Sequence, residues 1–451
     1  VQLLPRSLWV LLFALAVSLV WLFQEPQLIL RIGAFLLLAT YAGWQAKQRG
    51  LIPGQISPGI NIIGFGTAFD APSWTNRQHV LSRVAKTYPV LYVEPREWIV
   101  RSISRHWRNP VRLLSFLWRL IGYQKRGKQL YLISQWNLIP GSREYKAVAA
   151  FDHFLNRWRV KVLAVLLGFH SPKTVLWLYE TEAAEYLSAW KRARVLYDCV
   201  DDHAVQAGAE RNPARVREEE ERILQRADIV TVTSRRLLEL KRAQHPNVHL
   251  VLNAGDVEAF LPKDPSAPPS AENLPDVAGG RVLGTVGALD GYKVDFELLQ
   301  ELANRKGDWQ LVLIGEPVVD KDRQAVEHLQ AFSNVHWLGA MPRERVPAYV
   351  HQLDVCLIPY RANQYNAASF PLKFWEFMAT GKPIVVAGVP ELKEYQELVG
   401  YAENVEEFIA MCEASLQNPT QGRDQRIALA HEHSWEKRVE RLLQLLQTIV
   451  K

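Results

Sequence analysis

Cysteine is scarce in this chain of 451 residues: Cys199, Cys356 and Cys412 lie far apart, with no CxxC pair and no histidine at metal-ligand spacing. This pattern argues against a disulfide scaffold and favours three ordinary core thiols in a reducing compartment. Glycine, with 25 residues, is too rare for a collagen-like repeat. Because 48% of the residues are hydrophobic, a disordered chain is also excluded. At roughly 100–200 residues per domain, the length predicts two globular domains.

Acidic residues are scarce in one part of the chain. From Arg96 to Lys161 there are 14 Lys and Arg but only three acids, which leaves a net charge of +11. The rest of the chain holds 39 basic and 44 acidic residues, a net charge of −5. The overall +6 therefore describes a mildly acidic protein with one basic block, and that block predicts an anionic partner.

Two long hydrophobic runs lie near the N-terminus. Leu8–Phe23 carries no charge, and Leu28–Trp44 is interrupted only by Arg31. Each run approaches the ~20 apolar residues that span a bilayer, and basic residues outside both runs place their outer ends in the cytoplasm. We therefore expect a membrane helical hairpin over residues 1–50. A hairpin within one leaflet is the alternative, and the second run argues against a cleaved signal peptide.

Short apolar runs alternate with stretches of helical spacing over the rest of the chain, which predicts parallel strands joined by helices. Residues 261–280, rich in proline and glycine, form a predicted linker between two such series. We expect two doubly wound α/β domains over residues 58–260 and 281–432, a basic insertion at 96–161 and a closing helix at 433–451. The predicted strands are residues 60–64, 90–93, 174–179, 195–200, 229–233, 248–252, 282–286, 310–314, 335–338, 355–358 and 384–386.

One stretch of the second domain combines a helix start with a cation and a carboxylate. Ser369 is expected to cap a helix with Pro371 in its first turn, and Gly381 is expected to end it. A helix N-terminus attracts anions, and Lys373 adds a positive charge. Glu376 shares a helix face with Lys373 and has the chemistry to accept two ribose hydroxyls. A plain surface ion pair between these two side chains is the alternative.

Charged residues also follow the predicted strands of the first domain. Asp198, Asp201, Asp202 and His203 come at the end of the strand 195–200, where a carboxylate and an imidazole suit acceptor binding or a general base. The alternatives are a structural aspartate beside a capped helix, or a metal pair. Further candidates at the edge of the predicted cleft are Asp70, Arg77, His79 and Glu180.

The sequence PLKFWEFMATGKPIVV, residues 371–386, resembles the donor-binding helix of GT-B glycosyltransferases of group 1, close to the family 4 enzymes. The resemblance, which is closest to the teichuronic-acid-type branch, extends from about residue 60 to the C-terminus. It rests also on WTNRQHVLSRVAKTYPVLYVEP at 74–95, VLWLYE at 175–180, LYDCVDDH at 196–203, VLGTVGALDGYKVDFELLQELA at 282–303 and HSWEKRVERLL at 433–443. It implies a GT-B fold, two Rossmann-like domains facing across a cleft, here with the added hairpin.

The resemblance implies a nucleotide-sugar donor, linked through UDP, GDP or dTDP, and no metal or other cofactor. Glu376 would hold the ribose, while Lys373, the backbone near Ser369 and a second cation, Lys293, would meet the diphosphate. The strand ends where the backbone approaches the nucleotide would be Gly287, Gly315 and Glu316. The family's second glutamate, eight residues before Glu376, is replaced by Ala368. Retention or inversion of configuration is therefore open, and Asn363, Gln364 and Asn366 are candidates for the missing hydrogen bond.

The basic block begins with Arg96–Lys128, where nine cations and three tryptophans interleave with apolar residues at helical spacing. This composition predicts a helix on an anionic membrane surface. An ordinary solvated helix is one alternative; nucleic acid is the other, and we expect none to bind because no nucleic-acid module is present. The expected contacts to lipid or to a lipid-linked acceptor are Arg101, Arg105, Trp107, Arg108, Arg112 and Trp118.

These observations predict a membrane-anchored glycosyltransferase at the cytoplasmic face of the cell (inner) membrane. It would move a sugar from a nucleotide donor to a polyprenyl-diphosphate or glycolipid acceptor in envelope or extracellular polysaccharide synthesis. Phospholipid is the expected further partner. A sugar-nucleotide epimerase or phosphorylase of the same fold, and a catalytically degenerate assembly scaffold, are the alternatives. The sequence does not specify an oligomeric state.

Overall fold

The computed structural model describes residues 59–71, 74–98, 119, 122–137, 146–170, 172–205, 212–262, 274 and 280–450. The predicted hairpin, residues 1–50, lies outside these ranges and stays a prediction. Within the described ranges, no helix has both the length and the apolar composition needed to cross a bilayer.

The first sheet has eight strands in the order β3-β4-β2-β1-β5-β6-β7-β8. Parallel pairing sets β1 between β2 and β5, with Ile62 opposite Val90 and Val175. All five residues of β1 are buried, as the continuous apolar run predicts for a central parallel strand. The strands are β1 (Asn61–Phe65), β2 (Val90–Trp98), β3 (Gln124–Arg126), β4 (Leu130–Asn137), β5 (Thr174–Leu178), β6 (Arg194–Cys199), β7 (Ile229–Val232) and β8 (Val248–Leu250).

Strands, rather than the predicted helix, form the described ends of the segment Arg96–Lys128. β2 continues through Pro95 to Trp98, and β3 occupies Gln124–Arg126. The β1 register ends at Val93, so the missing N–H of Pro95 removes no hydrogen bond from β1. Spacing alone did not reveal this extension, because aromatic residues and valine suit strands as well as helices. The middle of the segment lies outside the described residues.

The second sheet has six strands in the order β11-β10-β9-β12-β13-β14, all parallel. The chain order reverses between β9 and β12, which makes the carboxyl ends of these strands the switch point where ligands of such sheets bind. The strands are β9 (Arg281–Val286), β10 (Trp309–Ile314), β11 (Val335–Trp337), β12 (Val355–Pro359), β13 (Ile384–Ala387) and β14 (Gly400–Ala402). Both predicted series of strands are confirmed, and β3, β4 and β14 were missed.

The helices in chain order are α1 (Asn76–Val84), α2 (Lys146–Leu166), α3 (Pro213–Arg226), α4 (Arg235–Arg242), α5 (Val257–Phe260), α6 (Phe296–Arg305), α7 (Asp320–Leu329), α8 (Val346–Val350), α9 (Gln364–Ala368), α10 (Lys373–Thr380), α11 (Val405–Gln417), α12 (Arg423–Glu432) and α13 (Trp435–Val450). Within the described residues, 3₁₀ helices cover Thr181–Trp190 and Pro390–Tyr395. The predicted C-terminal helix is α13. Its apolar side, including Val439, Leu442 and Leu446, is buried in one core with Ile62 and Val80 of the first sheet and α1.

The described chain divides into two compact units. One contains the described parts of residues 96–124 and 133–171, including α2. The other contains residues 60–95, 125–132 and the described chain from Pro172 onward, and therefore holds most of both sheets. The sites discussed next lie within the second unit.

Candidate active site

The carboxyl ends of β9 and β10 meet through two glycines. Gly287 and Gly315 have φ angles of 114° and 141°, which side-chain-bearing residues rarely adopt. A Cβ atom on Gly315 would lie 1.9 Å from the carbonyl oxygen of Gly287. The local structure therefore requires glycine at Gly315, and the partly exposed backbone of the two glycines is suited to close approach by a ligand.

Lys373 lies beside these glycines. The Nζ of Lys373 is 3.4 Å from Thr285 Oγ1 and 5.2 Å from the ring centroid of Tyr360. A Cβ on Gly287 would lie 3.4 Å from the same Nζ. Lys373 therefore reaches the end of β9 instead of forming a simple surface pair with Glu376.

Lys293 comes from the loop after β9 and is surrounded by tyrosines. Its Nζ lies 5.0 Å from the ring centroid of Tyr292 and 5.7 Å from that of Tyr365. Burial is the largest influence and lowers the pKa of Lys293, but the tyrosines and Asp201 outweigh it, so the pKa is raised. Lys293 is therefore a cation at neutral pH, in a setting suited to an anionic group.

Glu376, on α10, lies against the loop that follows β8. A Cβ on Gly255 would come within 2.9 Å of the Glu376 backbone nitrogen, so only glycine allows this packing. The N–H of Asp256 donates to Glu376 Oε1 at 3.5 Å, and Asp256 also pairs with Arg343 at 2.5 Å. Burial raises the pKa of Glu376, with Arg343 opposing this effect. No local sequence signal identified Arg343 or Asp256, because both are distant in sequence from α10.

Ser369 does not cap α10, contrary to the prediction. It ends the short helix α9, where its hydroxyl donates to the carbonyl of Asn366 at 3.3 Å. α10 begins at Lys373, after Leu372. Asn363 explains the difference, because its side chain accepts from the N–H of Asn366 and so starts a separate helix.

Two of the polar residues proposed to replace the missing glutamate form hydrogen bonds to the backbone of neighbouring loops. Asn363 Nδ2 donates to the carbonyl of Tyr292, and Asn366 Nδ2 donates to those of Lys293 and Arg361. Both side chains therefore hold the loop that carries Lys293. Gln364 is the first residue of α9, and Ala368, its last, is buried.

Glu316, which follows β10, contacts three other segments of the chain. Its carboxylate pairs with Arg323 of α7 at 2.8 Å and accepts from the N–H of Ala340 at 3.3 Å, while its carbonyl accepts from the N–H of Leu289. Asp290, which sequence patterns did not identify, accepts from the N–H of Val318 at 3.2 Å. These contacts position the loops after β9 and β10 relative to one another.

Buried Arg77 forms an ion pair with Glu180, whose side chain is 38% exposed, at the carboxyl edge of the first sheet. Arg77 also lies over the ring of Tyr179, 5.9 Å from its centroid. Nδ1 of His203 is 3.7 Å from the other Glu180 oxygen. Burial, the largest influence, raises the pKa of Glu180, but Arg77 and His203 outweigh it, so the pKa is lowered. The structure thus brings three of the predicted residues together.

Asp201 connects this group to the second sheet. Its Oδ1 accepts a hydrogen bond from the Tyr365 hydroxyl at 3.0 Å. Burial and Asp201 together raise the pKa of Tyr365, so the phenol stays a neutral donor. Asp201 therefore lies between the cluster of Arg77, Glu180 and His203 and the tyrosines around Lys293.

Other candidates are held elsewhere. Asp202 accepts from the N–H of Ala204 in its own turn. Asp70 is exposed and pairs with Arg126 at 2.8 Å. Asp198 is fully buried and pairs with Arg438 of α13 at 2.9 Å, as expected of a structural aspartate.

His79, predicted as a candidate at the edge of the cleft, is buried and packs against aromatic rings. Its ring stacks on Trp435 with centroids 4.3 Å apart and meets the edge of Trp74. Burial, followed by Arg343 and Arg83, lowers the pKa of His79 to about 2. The ring is therefore neutral at physiological pH.

The predicted membrane contacts Arg101, Arg105, Trp107, Arg108, Arg112 and Trp118 lie outside the described residues. Among the residues the structure describes, no group of three or more His, Cys, Asp or Glu side chains is arranged to hold a metal ion.

Residues 280–418 match the profile of a family described as glycosyl transferases group 1. The protein TuaH of Bacillus subtilis strain 168, named for a glycosyltransferase role in teichuronic acid biosynthesis, is 32% identical over 268 residues. That match covers 55% of this chain and 65% of TuaH, slightly less than two thirds of the relative's length.

Two solved structures share the fold. Alr3699/HepE of Anabaena, in complex with UDP and glucose, has a TM-score of 0.61 at 15% identity and covers 86% of this chain and 100% of its own. Sucrose-phosphate synthase of Thermosynechococcus elongatus has a TM-score of 0.63 at 15% identity, and the match covers 86% of this chain and 99% of the synthase. The described chain thus has a GT-B-like α/β fold with parallel sheets, and the sequence matches support the expected enzyme class, a glycosyltransferase.

Proposed function

We propose that this protein is a glycosyltransferase that binds a nucleotide-sugar donor at the switch point of the second sheet. The observation that carries the proposal is the position of Lys373 beside the glycine-lined ends of β9 and β10, with the second cation, Lys293, in the loop that follows β9. A diphosphate needs cations and close backbone approach, and this edge offers both. The match of residues 280–418 to group 1 glycosyl transferases supports the same location.

Glu376 is the proposed partner of the nucleotide ribose. A carboxylate accepts hydrogen bonds from two adjacent hydroxyls, and the neighbouring Arg343 and Asp256 N–H favour its charged form. Uracil is the base to test first, because the structurally similar Alr3699/HepE is described in complexes with UDP and with UDP-glucose.

In the proposed transfer, the bond between the anomeric carbon and the donor diphosphate breaks, and the diphosphate leaves with the electron pair. A hydroxyl oxygen of the acceptor forms the new bond to that carbon and gives up its proton. Lys373 and Lys293 offset the charge that develops on the leaving diphosphate. Asp201 is the carboxylate at the boundary of the two sheets, where a group that orients the acceptor or takes its proton is needed.

The acceptor is proposed to be a lipid-linked sugar or glycolipid at the cytoplasmic face of the cell membrane, in envelope or extracellular polysaccharide synthesis. The support is the basic, Trp-rich block at residues 96–161 and the two hydrophobic runs within residues 1–50. The name of the relative TuaH, which refers to a cell-envelope polymer, agrees with this class of acceptor.

The donor site is tested by isothermal titration of the full-length protein with UDP-, GDP- and dTDP-sugars. We expect one nucleotide class to bind, and Lys373→Ala to weaken it about tenfold or more through loss of a charge-assisted contact. Lys321→Ala, on the exposed side of α7, is the matched control and should bind as the wild type does. If no nucleotide-sugar binds, or if both variants bind equally well, the donor site is wrongly placed.

The activity is tested separately by incubating the protein with the bound donor and an extract of bacterial polyprenyl-linked lipids. Transfer of labelled sugar to the lipid fraction is expected. Donor turnover without acceptor would instead favour an epimerase or phosphorylase, and donor binding without any turnover would favour a scaffold.

A further inference from the structure

Helix α2 buries its polar side and exposes its apolar side. Asp152 and Asn156 are buried, with Val160 and Ala164, at intervals of four residues along one face. The opposite face carries large apolar residues at intervals of three and four: Phe151, Phe154, Trp158, Val162 and Val165. We refer to these five residues as the α2 apolar face.

Contacts within the same unit explain why the polar side of α2 is inside. Asn156 accepts from the N–H of Trp136 at 3.2 Å and donates to its carbonyl at 2.7 Å, so it pairs with both backbone groups of a β4 residue. Arg159 donates to the carbonyls of Ser134 and Arg119 at 2.6 and 2.8 Å. These bonds fix the rotation of α2 about its own axis and leave the apolar face outward.

The exposure of this face is unusual within the described structure. Six large hydrophobic side chains are exposed there, and three of them lie on α2: Phe151 at 39%, Phe154 at 50% and Val165 at 43%. Phe151 and Phe154 also stack on each other, with ring centroids 6.5 Å apart. Trp158 and Val162 are partly exposed between them. A contiguous apolar surface of this kind marks a contact with another apolar phase.

The charges around the α2 apolar face indicate which kind of surface it contacts. Arg157 and Lys161 border it, and the one acid of the helix, Asp152, is fully buried on the other side. A face that is apolar in the middle, basic at its border and without exposed acids matches an anionic lipid surface. The five residues of the α2 apolar face are also far fewer than the roughly 20–30 residues that each partner contributes to a stable protein interface.

We propose that α2 lies along the surface of an anionic phospholipid bilayer, with the α2 apolar face inserted among the lipid chains. The apolar face runs ~21 Å along the helix at 1.5 Å per residue, which suits a helix in the membrane plane. This inference deepens the membrane part of the proposed function and assigns it to described residues outside the donor site. It does not depend on sugar transfer.

The test places an environment-sensitive NBD label at Phe154→Cys in the full-length protein, reconstituted in vesicles of phosphatidylglycerol and phosphatidylethanolamine. The native cysteines are all buried, so the introduced thiol takes the label. Val319→Cys, an exposed apolar position in the loop after β10, is the matched control. Circular dichroism and thermal unfolding of both labelled variants check that the fold is retained.

We expect the label at residue 154 to be quenched by bromolipids and to be at least about threefold less accessible to aqueous iodide than the label at residue 319. In vesicles of phosphatidylcholine alone, quenching by bromolipids should decrease, since the basic border loses its anionic partner. Equal iodide access at the two positions would overturn the proposal. Protection from iodide without quenching by bromolipids would also overturn it, because a protein segment or a second copy would then cover the face. Undiminished bromolipid quenching in phosphatidylcholine would refute the preference for anionic lipid.

The result is independent of the enzymatic proposal. A glycosyltransferase whose α2 apolar face stays in water would keep its donor binding and fail only the labelling test. A protein that inserts α2 but binds no nucleotide-sugar would show the opposite pattern.

Discussion

The hydroxyl of Tyr365 donates a hydrogen bond of 3.0 Å to Asp201, joining a residue of α9 to the turn that follows β6. These residues are 164 positions apart in the sequence. Asp201 also contributes to the raised pKa values of Arg77 and of Lys293. One carboxylate therefore acts electrostatically on the cations of both sheets.

Asp201→Asn should lower sugar transfer at least about tenfold while changing donor affinity little. The amide keeps an oxygen that accepts from Tyr365, so the variant removes the charge and retains the contact. Steady-state kinetics and donor titration measure the two effects. Asp202→Asn, whose side chain accepts from its own turn, is the control and should lose much less activity. Equal loss in both variants would assign the effect to the turn and not to Asp201.

Donor affinity should fall as the pH is lowered. The midpoint of this fall should lie above the ordinary pKa of a glutamate, because the titrating group is Glu376. Burial raises the pKa of Glu376, and its charged form is the one that accepts ribose hydroxyls. Glu376→Gln should bind the donor more weakly at neutral pH and remove this pH dependence. Titration between pH 5 and pH 8 measures both effects. An unchanged pH profile in the variant would exclude Glu376 as the titrating group.

The same pKa shift predicts a gain in stability for Glu376→Gln without donor. A raised folded-state pKa means that the charged form destabilises the fold once the pH exceeds the ordinary value of a glutamate. The variant should therefore unfold at a higher temperature than the wild type at pH 8. As the pH falls through the raised pKa, the wild type takes up a proton and the difference should shrink. A lower unfolding temperature for the variant at pH 8 would contradict this prediction.

Removal of Arg438 should destabilise the protein strongly. Its guanidinium pairs with fully buried Asp198 and donates to the carbonyl of Leu252 at 2.6 Å, so Arg438→Met leaves an uncompensated buried carboxylate. The expected loss is about 3–5 kcal/mol in the free energy of unfolding, measured by denaturant titration. Arg441→Met, on an exposed part of α13, should change it by less than about 0.5 kcal/mol. Similar values for both variants would mean that the pair contributes little.

Gly315→Ala should impair both folding and donor binding, because the added Cβ would collide with the carbonyl of Gly287. The positive φ angle of 141° adds backbone strain. Gly307→Ala is the matched control, since nothing lies within 4 Å of its Cβ position. In thermal unfolding and donor titration, Gly315→Ala should unfold at a lower temperature and bind donor more weakly than Gly307→Ala. A wild-type response from Gly315→Ala would show that the two strand ends move apart freely.

The alternation of apolar runs and helices determined much of the fold in advance. Runs such as those of β1, β9 and β12 are continuous because a parallel strand between helices is buried on both sides. Such local patterns predicted the α/β class, the two series of strands and α13. They failed for β3, a three-residue edge strand of polar and basic residues inside the segment predicted to be a membrane helix, and for β4, a buried strand that follows it.

Local sequence patterns identified the residues that can do the chemistry: the lysines, the carboxylates and the glycines after the strands. Which of these residues meet was set by the fold. The fold pairs Asp198 with Arg438 and Asp201 with Tyr365, although the two aspartates are only three residues apart in the chain. The reason is that β6 ends between them, so Asp198 lies in the strand and contacts α13, whereas Asp201 lies in the following turn and contacts α9. The fold also determined that α2 exposes its apolar side, through hydrogen bonds to β4. Burial and long-range hydrogen bonds depend on three-dimensional neighbours, which local patterns do not specify.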